Sequence, residues 1–133
     1  MDITPVVAPD RQVVEAYGEG GFRISGVTFA GPVIVCTDAT TAWPVSSFAD
    51  MTIANLEPIR NRVGTENAVE ILLIGCGKRA QFVPAGLRTE LKKIGVVVDT
   101  MDTGAACRTY DVLLAEGRRV AAALLPPRQR DAQ

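Results

Sequence analysis

The run Gly75-Cys76-Gly77-Lys78-Arg79 holds the residue types best suited to chemistry, because it leaves the strand-like Glu70-Ile-Leu-Leu-Ile74 a few residues before a helix start near Pro84 or Ala85. An α/β protein places phosphate or carboxylate sites at such a turn, where backbone N–H groups and a helix N-terminus converge. Lys78 and Arg79 add positive charge. Position 80 is alanine, so the G-x-G-x-x-G dinucleotide fingerprint fails, and the chain has no G-x-x-x-x-G-K-[ST] phosphate loop. A tight glycine turn leaving a strand accounts for the same residues, and both readings stand. Cys76 has an acidified thiol if Lys78, Arg79 and the helix start lie close to it. The competing reading is a small apolar side chain in a partly buried place.

A second constellation runs Thr103-Gly-Ala-Ala-Cys-Arg-Thr-Tyr110-Asp111. Asp102 or Thr103 can accept from the free N–H groups of a helix start. Tyr110 suits a ring packed inward with its hydroxyl bonded at the rim, and Arg108 and Asp111 have the spacing of a surface i, i+3 pair. The candidate ligand-contacting residues are therefore Gly75, Cys76, Gly77, Lys78, Arg79, Thr103, Tyr110 and Asp111. Arg118, Arg119, Arg128 and Arg130 have no interleaved aromatic ladder and read as a solvated margin rather than a nucleic-acid surface. Trp43, beside Pro44 and near Phe48, is either an interface anchor or core, and core is the expectation.

Histidine is absent from all 133 residues. That removes the usual neutral-pH general base, the usual metal ligand and every Ser-His or Cys-His nucleophile pair. No catalytic residue, metal ligand or cofactor is assigned. Lys plus Arg total 14 against 15 acidic residues, so net charge supplies no pull toward nucleic acid or an anionic membrane, although local basic clusters remain open. Cys36, Cys76 and Cys107 are odd in number and match no zinc spacing, so they read as reduced thiols. The first residues show no leader pattern, and the apolar runs fall far short of the roughly 20 residues a membrane-spanning helix needs. The expectation is a cytoplasmic protein without membrane insertion.

These residues need elements to hold them. Val13–Tyr17, Phe22–Ile24, Val27–Phe29 and Val33–Cys36 are short β-type runs between glycine-rich turns, and Ala42–Val45 makes a fifth, placed at an edge by Pro44. Phe22, Ile24, Val27 and Phe29 are expected on one face of this antiparallel meander, with Arg23 and Thr28 outward. Leu56, Ile59 and Val63 then give one face of a short helix, with Asn55 as cap, Pro58 in its first turn and Gly64 at its stop. Three parallel strands follow at Glu70–Ile74, Val96–Val98 and Val120–Leu124. Between them lie a helix with Leu87 and Leu91 inward and a helix from Thr103 to Glu116. In the latter Ala106, Tyr110, Leu113 and Leu114 face inward, Arg108, Asp111 and Glu116 face outward, and Gly117 takes the left-handed turn that ends it.

Right-handed crossovers put both later helices on one side of the sheet and the meander on the other. The fold class is α/β, a three-layer β/β/α sandwich in which an N-terminal antiparallel meander packs on a β-α-β-α-β parallel unit. Residues 1–12 form an extended segment, 13–127 a single domain and 128–133 a loose polar tail.

Phe22-Arg-Ile24, Gly31-Pro-Val-Ile-Val35, Trp43-Pro-Val45 and Ile71-Leu-Leu-Ile-Gly-Cys-Gly77 resemble the Mth-type domain of unknown function, family 498. The strongest likeness is Met101-Asp-Thr-Gly-Ala-Ala-Cys-Arg-Thr-Tyr-Asp-Val-Leu113 with Glu116-Gly-Arg-Arg-Val-Ala-Ala-Ala-Leu124. The resemblance covers roughly Val13 to Pro126 and implies the same three-layer fold. Family members include a mitochondrial respiratory complex I assembly factor and an adipogenesis-associated protein, and no catalytic residues are established among them. The strand-end pattern of the family is similar to Gly-Thr-Gly, whereas this chain has Cys76, and Asp111 stands where Asn is common. The resemblance thus implies a non-catalytic interaction or assembly module with a protein partner, complex I being one candidate. Self-association stays open, and the alternative is a small-molecule or anion-binding domain, with at most a minor enzymatic role, built on the strand-end loop.

Overall fold

In a computed structural model, which describes residues 10–127, thirteen short elements build two sheets and the helices against them. The strands β1 (Val14–Gly18), β2 (Gly21–Ile24) and β3 (Val27–Ala30) form an antiparallel meander. The β2–β3 hairpin closes through Ser25 and Gly26, both at positive φ, the backbone of a tight two-residue turn. Phe22 pairs with Phe29, and Phe22 and Ile24 are buried. Arg23 and Thr28 point outward as expected, but Val27, beside the turn, is 55% exposed and not part of the inward face.

The strands β4 (Val33–Val35) and β5 (Thr40–Ala42) do not continue the meander. They join β6 (Ile71–Gly75), β7 (Val97–Met101) and β8 (Val120–Leu124) in a five-stranded sheet ordered β5-β4-β8-β6-β7. β6 runs parallel to β7 and β8, and β4 runs antiparallel to β8 and β5. The fifth strand, expected over Ala42–Val45, lies earlier, over Thr40–Ala42, and is an edge strand. The trio Val33, Ile34 and Val35 is fully buried because it is covered on both faces, which a hydrophobic run without alternation signals.

Two 3₁₀ turns, Phe48–Asp50 and Ala54–Leu56, lead into the one-turn helix α1 (Glu57–Arg60). Pro58 sits in its first turn. Asn55 is not its cap: the Asn55 Oδ1 instead accepts from the Thr52 N–H at 3.0 Å and from the Trp43 indole N–H at 3.4 Å. Trp43 is 2% exposed and belongs to the core. The longer helices are α2 (Ala85–Lys93) and α3 (Thr103–Ala115), and Gly117 at φ +78° ends the latter.

The two helices lie on opposite faces of the five-stranded sheet. Leu87 and Leu91 of α2 pack with Leu72, Ile74, Ala121, Ala123 and Ile34, together with Trp43, Leu56 and Ile59. Ala106, Cys107, Tyr110 and Leu114 of α3 pack with the alternate residues Leu73, Ala122, Leu124, Val33 and Val35. The meander shares that second face, through Val14, Phe22 and Ile24. This corrects the expectation of both helices on one side. β6 to β7 steps one way along the sheet and β7 to β8 steps back across β6, and a crossover of constant hand changes face when its direction reverses. The α/β class, with a β-meander and a β-α-β-α-β parallel unit packed together, stands as expected. Of the expected terminal segments, residues 1–9 and 128–133 lie outside the described residues.

Candidate functional site

The C-terminal ends of β6 and β7 lead to opposite faces of the sheet, so they part at a topological switch point, the usual place for a ligand crevice in an α/β fold. Gly75 to Arg79 and the start of α3 meet there. The meeting is close. Thr103 is fully buried, its hydroxyl donates to the Leu125 carbonyl at 2.6 Å, and the Gly77 N–H donates to the same Oγ1 at 2.8 Å. The Thr103 N–H donates to the Gly77 carbonyl at 2.8 Å, Cys76 N–H to Met101 at 2.9 Å and Leu125 N–H to Gly75 at 2.9 Å. These bonds tie the exits of β6, β7 and β8 into one knot. A Cβ on Gly75 would stand 3.0 Å from both the Thr103 Cα and the Leu124 Cδ2, so a side chain there would have to push its neighbours aside.

Asp102, not Thr103, is the helix cap: its Oδ1 accepts from the Ala105 N–H at 2.9 Å. The hydroxyl of Thr103 is thereby left for the knot. Lys78 and Arg79 project outward and are exposed, with no ion pair among the described residues. Cys76 is buried, its Sγ lies 3.6 Å from the Ile74 carbonyl, and burial pushes its thiol up rather than down. Burial likewise pushes Cys36 up to about 11 and Cys107 up to about 12. All three sulfurs stay protonated at neutral pH, so none is an activated nucleophile.

Tyr110 and Asp111 lie apart from this knot, seven and eight residues along α3, about 10 Å or more from its start. They face β1. The Tyr110 hydroxyl donates to the Gln12 carbonyl at 2.7 Å, the rim bond expected for an inward ring. Burial pushes its phenol further above the ordinary tyrosine range. Asp111 is not on the surface and does not pair with Arg108. It is 4% exposed, its Oδ1 accepts from the Val14 N–H at 3.1 Å, and its Oδ2 has no hydrogen-bond partner among the described residues. Burial pushes this carboxyl up to about 7, against the opposing pull of the Val14 N–H and with some help from Glu15.

Three features escaped the sequence reading. The Arg108 Nη1 donates to the Tyr17 hydroxyl at 3.1 Å, over Gly104, whose missing Cβ would stand 2.8 Å from that oxygen. A Gly one turn before an Arg on a helix that packs against a Tyr-bearing strand is the signal that was available. Arg62 grips Asp38 through Nε at 2.9 Å and Nη2 at 3.2 Å while its Nη1 reaches the Pro58 carbonyl, which ties α1 to the β4–β5 turn. At the far end of the sheet a cleft of about 260 Å³ is lined by Arg11, Arg118, Arg119, Glu66 and Asn67. It opens beside the C-terminus of α3, whose negative dipole end suits those cations and opposes a bound anion.

The arrangement joins three strand exits by backbone and hydroxyl bonds and sets two cations outside them. It places no base beside a nucleophile. Similar proteins share the fold and carry different descriptions. An uncharacterized protein of Rhodobacter capsulatus is 40% identical over 113 residues, covering 85% of this chain and 83% of that one. The NADH dehydrogenase [ubiquinone] 1 alpha subcomplex assembly factor 3 of Danio rerio is 37% identical over 86% of this chain. The aligned stretch is 64% of that protein, so the chain spans less than two thirds of the length of this relative. Among solved structures, a Mth938-like domain from Bordetella pertussis superposes with a TM-score of 0.79 at 32% identity, covering 98% of this chain and 96% of that one. A Bartonella henselae structure described as an outer membrane protein gives a TM-score of 0.79 at 35% identity, covering 89% and 97%. Residues 14–125, from the first strand through the Thr103 knot to its acceptor at Leu125, match the family described as Protein of unknown function (DUF498/DUF598), and the chain belongs to that family.

Proposed function

We propose that this protein is a non-catalytic interaction module that assists the assembly of a respiratory NADH dehydrogenase. The observation that carries the reading is the similarity to assembly factor 3 of the NADH dehydrogenase alpha subcomplex, at 37% identity over 115 residues. Two physical facts accord with it. The sequence has no histidine, and the polar groups gathered at the switch point bond to one another. A tagged full-length chain expressed at native level is expected to co-purify with NADH dehydrogenase subunits, and deletion of its gene to lower the amount of assembled enzyme. Normal assembly in the deletion strain would end this reading. A cytoplasmic site of action belongs to the same proposal and is checked by fractionation; no helix among the described residues is long and apolar enough to cross a membrane.

A second reading, a small-molecule or anion site over the strand-end loop, is favoured by the position of exposed Lys78 and Arg79 at the switch point. It requires a ligand held outside the Gly77–Thr103 bonds rather than within them. Isothermal titration with inorganic phosphate and small carboxylates, on the parent chain and on Lys78→Ala, is the check: heat absent from both would remove it.

A further inference from the structure

Phe82 stands at 96% exposure in the 76–84 loop between β6 and α2. Its neighbour Val83 is buried in the core at 7% exposure and Cys76 at 5%, so both sides of the loop are pinned and the ring is held out by the fold. The other large exposed apolar side chains are valines elsewhere: on the β2–β3 hairpin, after α1, on the face of β7 turned away from α2, and on the outside of α3. Phe82 is therefore the one large apolar side chain of this loop that is exposed, flanked only by the small exposed Ala80, Pro84 and Ala85.

Its surroundings are basic. Between positions 77 and 95 lie Lys78, Arg79, Arg88, Lys92 and Lys93 with Glu90 the sole acid, so this stretch holds five of the 14 cations and one of the 15 anions. All are exposed, and Glu90 faces Lys93 at 3.7 Å. Lys78, Arg79 and Lys92 have no ion pair among the described residues. A net charge of −1 thus hides a local excess of cations in the stretch that carries Phe82, with Lys78 and Arg79 in its own loop and Arg88, Lys92 and Lys93 along α2.

We propose that this face seats the protein on an anionic lipid surface, with Phe82 entering the interfacial layer and Lys78, Arg79 and Lys92 lying on headgroup phosphates. A protein partner would need a shaped pocket for the ring and a surrounding rim to exclude water, and only the small side chains of Ala80, Pro84 and Ala85 flank Phe82 to build that contact. A fluid bilayer interface accepts a single aromatic ring without shape complementarity, and its anionic groups attract clustered cations within a Debye length. This is peripheral attachment and needs no spanning segment.

The experiment uses the full chain and phosphatidylcholine vesicles with and without phosphatidylglycerol. Phe82→Trp supplies a reporter, since buried Trp43 gives a constant background. The expected result is a blue shift of the new emission and co-sedimentation on the anionic vesicles alone. The double variant Lys78→Glu/Arg79→Glu should weaken binding by about tenfold or more and Phe82→Ala by about fivefold, with unchanged circular dichroism in each. No binding, equal binding to neutral vesicles, or an unshifted Phe82→Trp signal overturns the proposal. Polyglutamate as an acidic-polypeptide probe separates the protein alternative: a shift with polyglutamate and none with vesicles would assign the face to an acidic protein. Inorganic phosphate at matched ionic strength separates a free-anion site: release of vesicles by phosphate beyond that by chloride would overturn the lipid assignment.

Discussion

Asp111 puts a carboxyl where a neutral side chain would be easier to hold. One oxygen receives the Val14 N–H, the other has no partner among the described residues, and the titratable groups that interact with it are Glu15 on β1 with Cys107 and Tyr110 on its own helix. Burial raises its folded pKa to about 7, above the ordinary value of 3.8. The folded state therefore binds the extra proton. This group's contribution to stability is full below about pH 4, declines as pH rises and is gone above about pH 7. Asp111→Asn is expected to flatten that decline and to gain about 2 kcal/mol at pH 8 in urea unfolding, with little change at pH 4. Thr103 presents the opposite case, a polar group whose capacity is filled on both sides. Thr103→Val would orphan the buried Gly77 N–H and Leu125 carbonyl and is expected to lose about 3 kcal/mol, with Thr103→Ser recovering most of it in the same denaturation assay. The sequence announced Thr103 as a helix-start residue but not as the knot, because its acceptor lies 22 residues downstream and no local pattern encodes that distance. Asp111 was misplaced outward because a charged residue on an otherwise two-sided helix is ordinarily solvated.

The helix α3 and strand β1 form a seam at the scale of elements. Gln12, Val14 and Tyr17 meet Tyr110, Asp111 and Arg108, so three polar contacts dock the meander onto the helix beside its apolar face. Within the meander the tightest point is Gly21, where an added Cβ would collide with the Phe29 carbonyl oxygen on the paired strand. Gly21→Ala is expected to break the β2–β3 register and to speed amide exchange at Phe22 and Ile24, with β6 and β8 protected as before; uniform exchange across both sheets would contradict this. The open edge of β7 is blunted by Arg88, whose Nη1 takes the Val98 carbonyl at 2.8 Å. Periodicity made most of these elements legible, notably α3 to within one residue and β8 outright. Helix sides were not legible, because they follow from strand order, which is set by long-range pairing between β4, β6 and β8. Likewise β4 was grouped with its sequence neighbours, although its apolar trio finds a partner in β8 rather than β3.

Across the whole molecule, one central sheet is covered on one face by α3 and the meander and on the other by α2 and the 43–60 segment. Composition and the absence of histidine narrowed the chemistry before any fold was known, and the fold then turned the leading chemical motif into a joint. The basic stretch from 77 to 95 stands in the sequence beneath a net charge of −1, and the fold adds that its cations are exposed. β8, flanked by β4 and β6, is the last strand of the described chain and the middle of its sheet. The central strand therefore follows the other described strands in the sequence, and without it the apolar strands β4 and β6 have bare edges. A released chain truncated after Gly117 is expected to be protease-sensitive and prone to clump, while one reaching past Pro126 should be resistant and unfold in a single cooperative step, as limited proteolysis would read. Two half-sheets, β5-β4 and β6-β7, thus stay separate until β8 closes the gap between them.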